Sequence, residues 1–225
     1  MKNILIISII ILFIPFSIAA QVLYNNGTTL HLTSGAVVQV NGSMQNQTGG
    51  TVNVSTATPA NLNITGDLTN NGTINGNGNI NLKGHWINNS VFNCHNGLVL
   101  LNGNNQNLGG TVSSTFYNLT LENASIKSLL INQTTSGTLS LNNAELATDV
   151  YTMFVTNTNA NAIQRTTGFV SSNNGGYLSR ATASTSTYLF PVGSSTGTTR
   201  YRPVELTPAS AAANTYVVRL ANVDA

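Results

Sequence analysis

One segment of this 225-residue chain has the spacing of a catalytic motif. Residues Gly193–Gly197 read G-S-S-T-G and match G-x-S-x-G, the turn that presents a nucleophilic serine in many hydrolases. That motif requires a helix behind the serine and a base nearby. A strand-like segment follows it here, and the histidines all lie far upstream, at His31, His85 and His95. We therefore predict a polar hairpin loop around Ser195.

Two other groups of residues resemble metal-binding patterns. Gly76–Leu82 has the rhythm of the calcium-binding nonapeptide repeats, but its ligand position holds Asn81, whereas Ca²⁺ prefers several anionic oxygens. A zinc site built from His85, Cys94 and His95 would match no standard ligand spacing and would lack a fourth ligand. We therefore predict no metal and no other cofactor. As the single cysteine, Cys94 cannot form an intramolecular disulfide, and we interpret it as a small buried apolar residue.

Charged side chains are scarce. They make up 6% of the chain, against about a quarter in ordinary globular proteins. Polysaccharide-cleaving enzymes built on β-helices need clustered carboxylates, or a basic residue acting against calcium. The acids here are few and widely spaced through the central part of the chain: Asp67, Glu122, Glu145, Asp149, Glu205 and Asp224. Stacking of coils could still bring distant ones together. No basic cluster is present to collect phosphates, which argues against nucleic acid as a partner.

Four arginines stand out in the last third of the chain, at Arg165, Arg180, Arg200 and Arg202. In so weakly charged a sequence, two interpretations are open. Either they are buried structural partners of Glu205, or they mark a surface that contacts a ligand.

The elements that would position these residues are short and repetitive. Between Asn61 and Gly103, very short pieces of alternating apolar and polar residues, separated by Asn and Gly, recur with a period of about 18 residues. This pattern predicts a parallel β-solenoid, in which each coil buries its inward side chains by stacking on the next. We expect Leu62, Ile80 and Leu98 to form one inward column, and Leu68 and Trp86 another. Longer spacings elsewhere in the chain indicate variable coils, mostly of roughly 18–21 residues.

The abundant asparagines are expected to serve the coil corners and the coil–coil contacts. Asn-Gly pairs predict positive-φ corners at Asn71, Asn75, Asn77, Asn96 and Asn102. Asn at equivalent positions of successive coils also predicts hydrogen-bonded ladders between them.

Three regions follow from these patterns. Met1–Ala20, a short basic start followed by an apolar run and small residues, predicts a secretory signal, and no later segment is apolar enough to span a membrane. Residues 21–147 are predicted to form the solenoid. Residues 148–225, with longer strand-like segments and more Arg, Tyr and Phe, predict a β-sandwich-like module that ends directly after a strand. The overall expectation is all-β.

The second half of the chain also resembles a known group of proteins. Thr115–Leu121 (T-F-Y-N-L-T-L) is similar to coils of large secreted β-solenoid surface proteins of Bacteroidota, and the segments N-A-I-Q-R-T-T-G-F-V, L-S-R-A, Y-L-F-P-V-G and Y-R-P-V-E-L-T resemble the module that follows those coils. The similarity covers roughly residues 97–220. It implies an adhesin-like protein exported by type IX secretion, here a fragment or a short member without the sorting domain.

These observations favour a non-enzymatic protein, secreted or on the outer cell surface. Its solenoid stalk would present a β-module for adhesion to surface glycans or other surface proteins. The alternative is a polysaccharide lyase or glycoside hydrolase of the parallel β-helix class. A third hypothesis, binding to ice, ranks lower because the sequence lacks a Thr-x-Thr ladder.

Overall fold

The computed structural model describes residues 21–220, so the predicted signal at Met1–Ala20 lies outside the described residues. The regular elements of the described part are all β-strands. Twenty-four of them follow one another three at a time and form eight stacked coils, and four further strands follow. The predicted all-β parallel β-solenoid is confirmed.

The first four coils contain β1 (Gln21–Asn25), β2 (Thr29–Leu32), β3 (Val37–Val40), β4 (Gly42–Asn46), β5 (Thr51–Val54), β6 (Asn61–Ile64), β7 (Leu68–Asn70), β8 (Thr73–Gly76), β9 (Asn79–Leu82), β10 (Trp86–Asn88), β11 (Val91–Asn93) and β12 (Leu98–Leu101). The next four contain β13 (Gln106–Gly109), β14 (Thr115–Phe116), β15 (Asn118–Leu121), β16 (Ile126–Leu129), β17 (Gln133–Thr135), β18 (Leu139–Ser140), β19 (Glu145–Ala147), β20 (Thr152–Val155), β21 (Ile163–Gln164), β22 (Phe169–Ser171), β23 (Tyr177–Thr182) and β24 (Tyr188–Phe190). The chain continues through β25 (Val192–Ser194), β26 (Arg200–Tyr201), β27 (Val204–Leu206) and β28 (Asn214–Val218).

Each of the first seven coils contributes one strand to each of three faces, and the eighth contributes β22 and β23, while its β24 pairs with β27 outside these sheets. Face 1 is a ten-stranded sheet in the order β1-β4-β7-β10-β13-β16-β19-β22-β25-β26. Face 2 is divided into the sheets β2-β5-β8-β11 and β14-β17-β20-β23-β28, and face 3 is the sheet β3-β6-β9-β12-β15-β18-β21. Coil length varies on face 1, because Leu68 pairs both with Trp86 and with Met44, and the step along the chain to Trp86 is the shorter of the two.

The alternation of apolar and polar residues builds a single core along the solenoid. In strands such as β6 and β9, every second residue is buried, because successive side chains of a strand point to opposite faces. The predicted pairing of Leu68 with Trp86 is confirmed, and both side chains are buried. Leu119 likewise pairs with Leu139, as their spacing in the sequence predicts.

The predicted column of Leu62, Ile80 and Leu98 is wrong at its third member. Ile80 pairs with Val99 instead, while Leu98 lies on the half-exposed outer side. The turn before β12 contains one residue more than the turn before β9, and His95 in that turn has a left-handed φ of 44°. A shift of one residue exchanges the inward and outward sides of a strand.

Asparagines form the predicted ladders. A buried ladder runs through the first four coils, with the Nδ2 of each residue donating to the Oδ1 of the next across 2.8, 2.9 and 2.9 Å: Asn25, Asn46, Asn70 and Asn88. The remaining donor of Asn70 reaches the carbonyl of Val91 at 2.9 Å. The ladder therefore satisfies amides that would otherwise be costly to bury.

The predicted positive-φ corners are wrong, because neither residue of these five Asn-Gly pairs has a positive φ. Their glycines serve close approach between coils instead. A Cβ placed on Gly97 would lie 1.7 Å from the carbonyl oxygen of Gly76, and one on Gly103 would lie 1.8 Å from that of Lys83. The left-handed non-glycine residues are His95, Asn123, Asn142 and Asp149.

The predicted boundary at Ala147 does not end the parallel stacking. The strands β20, β22, β23 and β25 all pair in parallel with strands of the preceding coils. Antiparallel pairing begins with β26, β27 and β28, which join β25, β24 and β23. The last coils bury the large side chains of Arg180, Tyr188 and Phe190, which contribute to the change of composition after Ala147.

Candidate functional site

The serine motif lies in a hairpin, as predicted. Ser194 ends β25 and is buried, and the polar loop that follows connects β25 to the antiparallel β26. His85 directly precedes β10, which is five strands away from β25 in face 1. At the usual spacing of neighbouring strands this separation is about 24 Å. The arrangement therefore brings no histidine to the serine.

The four predicted arginines do not form one surface. Arg180 is fully buried and points into the interior of the last coils. Its guanidinium donates to the carbonyls of Asn159, Ala160 and Leu189 rather than to Glu205. Burial lowers its pKa to about 10. This arginine holds an irregular loop against β24, which is a structural role.

The other three arginines lie near Tyr201. The guanidinium of Arg165 stacks over the Tyr201 ring at 3.9 Å and donates from Nε to the Gly168 carbonyl. Arg200 and Arg202 flank Tyr201 in sequence and are exposed. A ligand-binding role for these residues stays a prediction, now without Arg180.

A buried lysine was missed by the sequence reasoning. Lys127 is fully buried, and its Nζ lies 2.7–2.9 Å from four neutral oxygens: the Gly103 and Asn104 carbonyls, the Gln106 amide and the Ser125 hydroxyl. Burial lowers its pKa to about 8, against the smaller opposing effect of the Glu122 charge. The sequence signal that could have indicated the buried lysine is Gln106, a polar residue at the equivalent inward position one coil earlier.

Several of the carboxylates that an enzyme would need have structural partners. Asp67 accepts the backbone N–H of His85 at 2.7 Å, and Asp149 accepts a hydrogen bond from the Asn174 side chain. Glu145 accepts the hydroxyl of Ser171 at 2.5 Å and lines a groove of about 300 Å³, together with Ser195. The lining of that groove holds one carboxylate, whereas glycoside hydrolysis commonly uses two. Asp224 lies outside the described residues.

The three residues considered for zinc are distributed over different surfaces. The His85 Nδ1 accepts the Asn107 backbone N–H at 3.0 Å, beside a corner groove of about 470 Å³, whereas His95 lines a separate groove. Cys94 is half-buried rather than buried, and burial raises the pKa of its thiol. Within residues 21–220, no three His, Cys, Asp or Glu side chains come together as a metal site would require.

The outer faces carry regular rows of amides. On face 2, Asn75 donates to Asn53 at 2.7 Å and Asn93 donates to Asn75 at 2.8 Å. On face 3, Asn81 donates to Asn63 at 2.6 Å, so the amide at the proposed calcium-ligand position is engaged with its neighbour. A row of threonines, Thr29, Thr51 and Thr73, runs beside the face 2 amides.

Comparison with protein-family models, with curated proteins and with solved structures finds no match to this chain. Among residues 21–220 there is no helix of the length and apolar character that a membrane crossing needs.

Proposed function

We propose that this chain is an exported, non-enzymatic surface or extracellular protein that adheres through the outside of its solenoid and its C-terminal β-strands. The observation that carries the proposal is the set of outward amide rows, such as Asn53–Asn75–Asn93, which hydrogen bonds hold in fixed positions. A rigid polar surface of this kind suits contact with hydroxyl-rich partners, namely surface glycans or glycosylated proteins.

The dispersal of acidic groups also supports a binding role. Asp67 and Asp149 are hydrogen-bonded at separate corners, and the Glu145 groove holds a single carboxylate. Binding needs no paired acid and base, whereas hydrolysis or elimination does.

Export is proposed from the Met1–Ala20 sequence and from the resemblance to type IX secretion substrates. A fusion of the full chain to a reporter enzyme that folds only outside the cytoplasm tests it. We expect reporter activity outside the cytoplasm and a mature N-terminus at Ala20 or Gln21. An inactive reporter with an uncleaved N-terminus contradicts export.

Adhesion is tested with beads that carry the purified protein on glycan-coated and uncoated surfaces. We expect retention on at least one glycan surface and release by the same glycan in solution. Equal retention on coated and uncoated surfaces contradicts the proposal.

The carbohydrate-active enzyme remains the second candidate, and the Glu145 groove is the observation that favours it. If it is correct, the protein shortens polysaccharides, and Glu145→Gln abolishes that activity while Glu205→Gln, an exposed acid on β27, leaves it unchanged. Mass analysis of the products decides between the two candidates.

A further inference from the structure

A groove of about 630 Å³ lies on face 2, and we name it the coil-2 groove. Its floor is formed by Asn53 and Asn75, with His31 and His95 among its other lining residues. Its wall is the turn after β5, residues 55–57, in the long second coil. The volume falls within the range of about 300–1,000 Å³ that small-molecule sites occupy.

The floor of the groove is an ordered set of hydrogen-bonding groups. The Asn75 amide donates one N–H to Asn53 and accepts one from Asn93, which leaves one N–H and one lone pair for a ligand. Equivalent groups recur along the solenoid axis at the strand spacing of about 4.8 Å. Because neighbouring amides fix each other, little side-chain entropy is lost when a ligand binds.

The groove carries no formal charge. Its lining contains no Asp, Glu, Lys or Arg, and residues 21–66 as a whole contain none. An anionic ligand would therefore lose its hydration without gaining an ion pair. The exposed imidazoles of His31 and His95 add planar surfaces and further polar groups.

The groove is also poorly suited to a peptide. Val54 and Ala57 are its apolar lining residues, and Val54 is fully buried, so no pocket awaits an apolar anchor side chain. The backbone groups of β5 and β8 are already paired within the sheet, which leaves no free edge for an added strand.

We infer that the coil-2 groove binds a linear, uncharged polysaccharide that lies along the solenoid axis over Asn53 and Asn75. Sugar hydroxyls both donate and accept, and they match the N–H and the lone pair that each amide keeps available. This inference rests on the proposed adhesive function, because it gives that function a site and a ligand class.

The test uses the purified protein and a panel of hexasaccharides: cellohexaose, xylohexaose, mannohexaose and laminarihexaose as neutral probes, and hexagalacturonate as the anionic one. Titration calorimetry should detect binding of at least one neutral probe and weaker or no binding of hexagalacturonate. Asn53→Ala and His31→Ala should each weaken the neutral complex by about tenfold, the size expected for one lost hydrogen bond.

Asn63→Ala provides the matched control. Asn63 accepts the Asn81 amide on face 3 across 2.6 Å, as Asn53 accepts the Asn75 amide on face 2 across 2.7 Å. Both variants should therefore lose the same small amount of stability, while Asn63→Ala keeps parental affinity. Equal melting temperatures of the two variants separate lost binding from lost folding.

Three results overturn the inference: no neutral probe binds, hexagalacturonate binds best, or Asn63→Ala weakens binding as much as Asn53→Ala does. Each of these three results can be told apart from a failure of the proposed export and adhesion, which the reporter fusion and the beads test. If the reporter is exported and the beads adhere while no probe binds through Asn53, adhesion stands and this groove is not its site. If the reporter stays inside the cell, the exported role fails whatever the titration shows.

Discussion

Two buried cations of this solenoid donate their hydrogen bonds to neutral oxygens. The Lys127 ammonium has four such partners in the fifth and sixth coils, and the Arg180 guanidinium bonds three carbonyls near the C-terminal end. Backbone carbonyls that turn inward at the corners thus do what carboxylates do in more highly charged proteins. A chain with few acids can bury its cations in this way.

The buried lysine gives stability a defined pH dependence. Its pKa falls from 10.5 to about 8 on folding, so between these values the unfolded chain binds more protons and the free energy of unfolding rises with pH. We expect the difference in this free energy between the parent and Lys127→Met to be constant below pH 8 and to shift in the parent's favour toward pH 10.5. Urea denaturation across this range measures it, and a difference that is flat to pH 10.5 contradicts the pKa assignment.

Substituting a residue of the buried Asn ladder should lower the free energy of unfolding far more than substituting a residue of the exposed ladders. Asn70→Ala removes a hydrogen-bond partner from the Asn88 Oδ1, the Val91 carbonyl and the Gly72 N–H, and unsatisfied buried groups cost about 1–3 kcal/mol each. We expect a loss of at least about 3 kcal/mol in the free energy of unfolding. Asn79→Ala, which removes a half-exposed contact to Asn61, should cost under about 1 kcal/mol. Equal losses would show that the ladder is not a stabilising element.

Trp86 tests the aromatic packing of the core. Its ring contacts Phe92 and Phe116 edge-on, with centroids 4.8 and 5.2 Å away, and its Nε1 donates to the Ser114 hydroxyl. Trp86→Ala should cost about 3–5 kcal/mol, as expected for an emptied buried aromatic site. Ser195→Ala, in the hairpin loop, should cost under about 0.5 kcal/mol. Chemical denaturation that gives Trp86→Ala the stability of the parent would contradict the packing described.

At the scale of elements, the turn before β12 determines the register of that strand. His95 has a φ of 44°, a conformation that costs ordinary L-residues about 1–2 kcal/mol and β-branched ones more. His95→Val should therefore destabilise the protein by at least about 1–2 kcal/mol, and His95→Gly should not. His31→Val is the matched control, because His31 is an exposed residue of the extended strand β2. If both valine variants are equally stable, the turn does not carry the strain assigned to it.

The repeats were predictable where each piece alternates strictly, as in β6, β9 and β10. The register of β12 was not predictable from the sequence. All four of its residues are apolar, so either register fits equally well: Leu98, Val99, Leu100 and Leu101. The one-residue insertion at His95 decides the outcome, and its effect depends on backbone geometry. The groove on face 2 also escaped prediction, because its wall and floor come from different coils. Lys127 escaped because charge ordinarily indicates the surface. A buried structural role for Arg180 was one of the two interpretations, and only its expected partner, Glu205, was wrong.

In the molecule as a whole, the polar residues proposed for binding and the apolar residues of the core lie on opposite sides of the same short strands. Asn53 and Asn75 face outward from strands whose Val52 and Ile74 are fully buried. Each coil contacts mainly its neighbours. The free energy of folding is therefore expected to be spread over the interfaces along the stack, while the outer amide rows remain rigid. A long, weakly charged and rigid surface is the property on which the proposed adhesive role depends.

The most direct test of that role is whether the protein holds glycans without converting them. Each hexasaccharide of the panel, hexagalacturonate included, is passed over immobilised protein with and without calcium, and the eluate is analysed by mass. We predict that at least one neutral hexasaccharide is retarded, that every hexasaccharide is recovered intact, and that calcium changes neither result. Shortened or unsaturated products that disappear in Glu145→Gln would contradict the account and identify a carbohydrate-active enzyme.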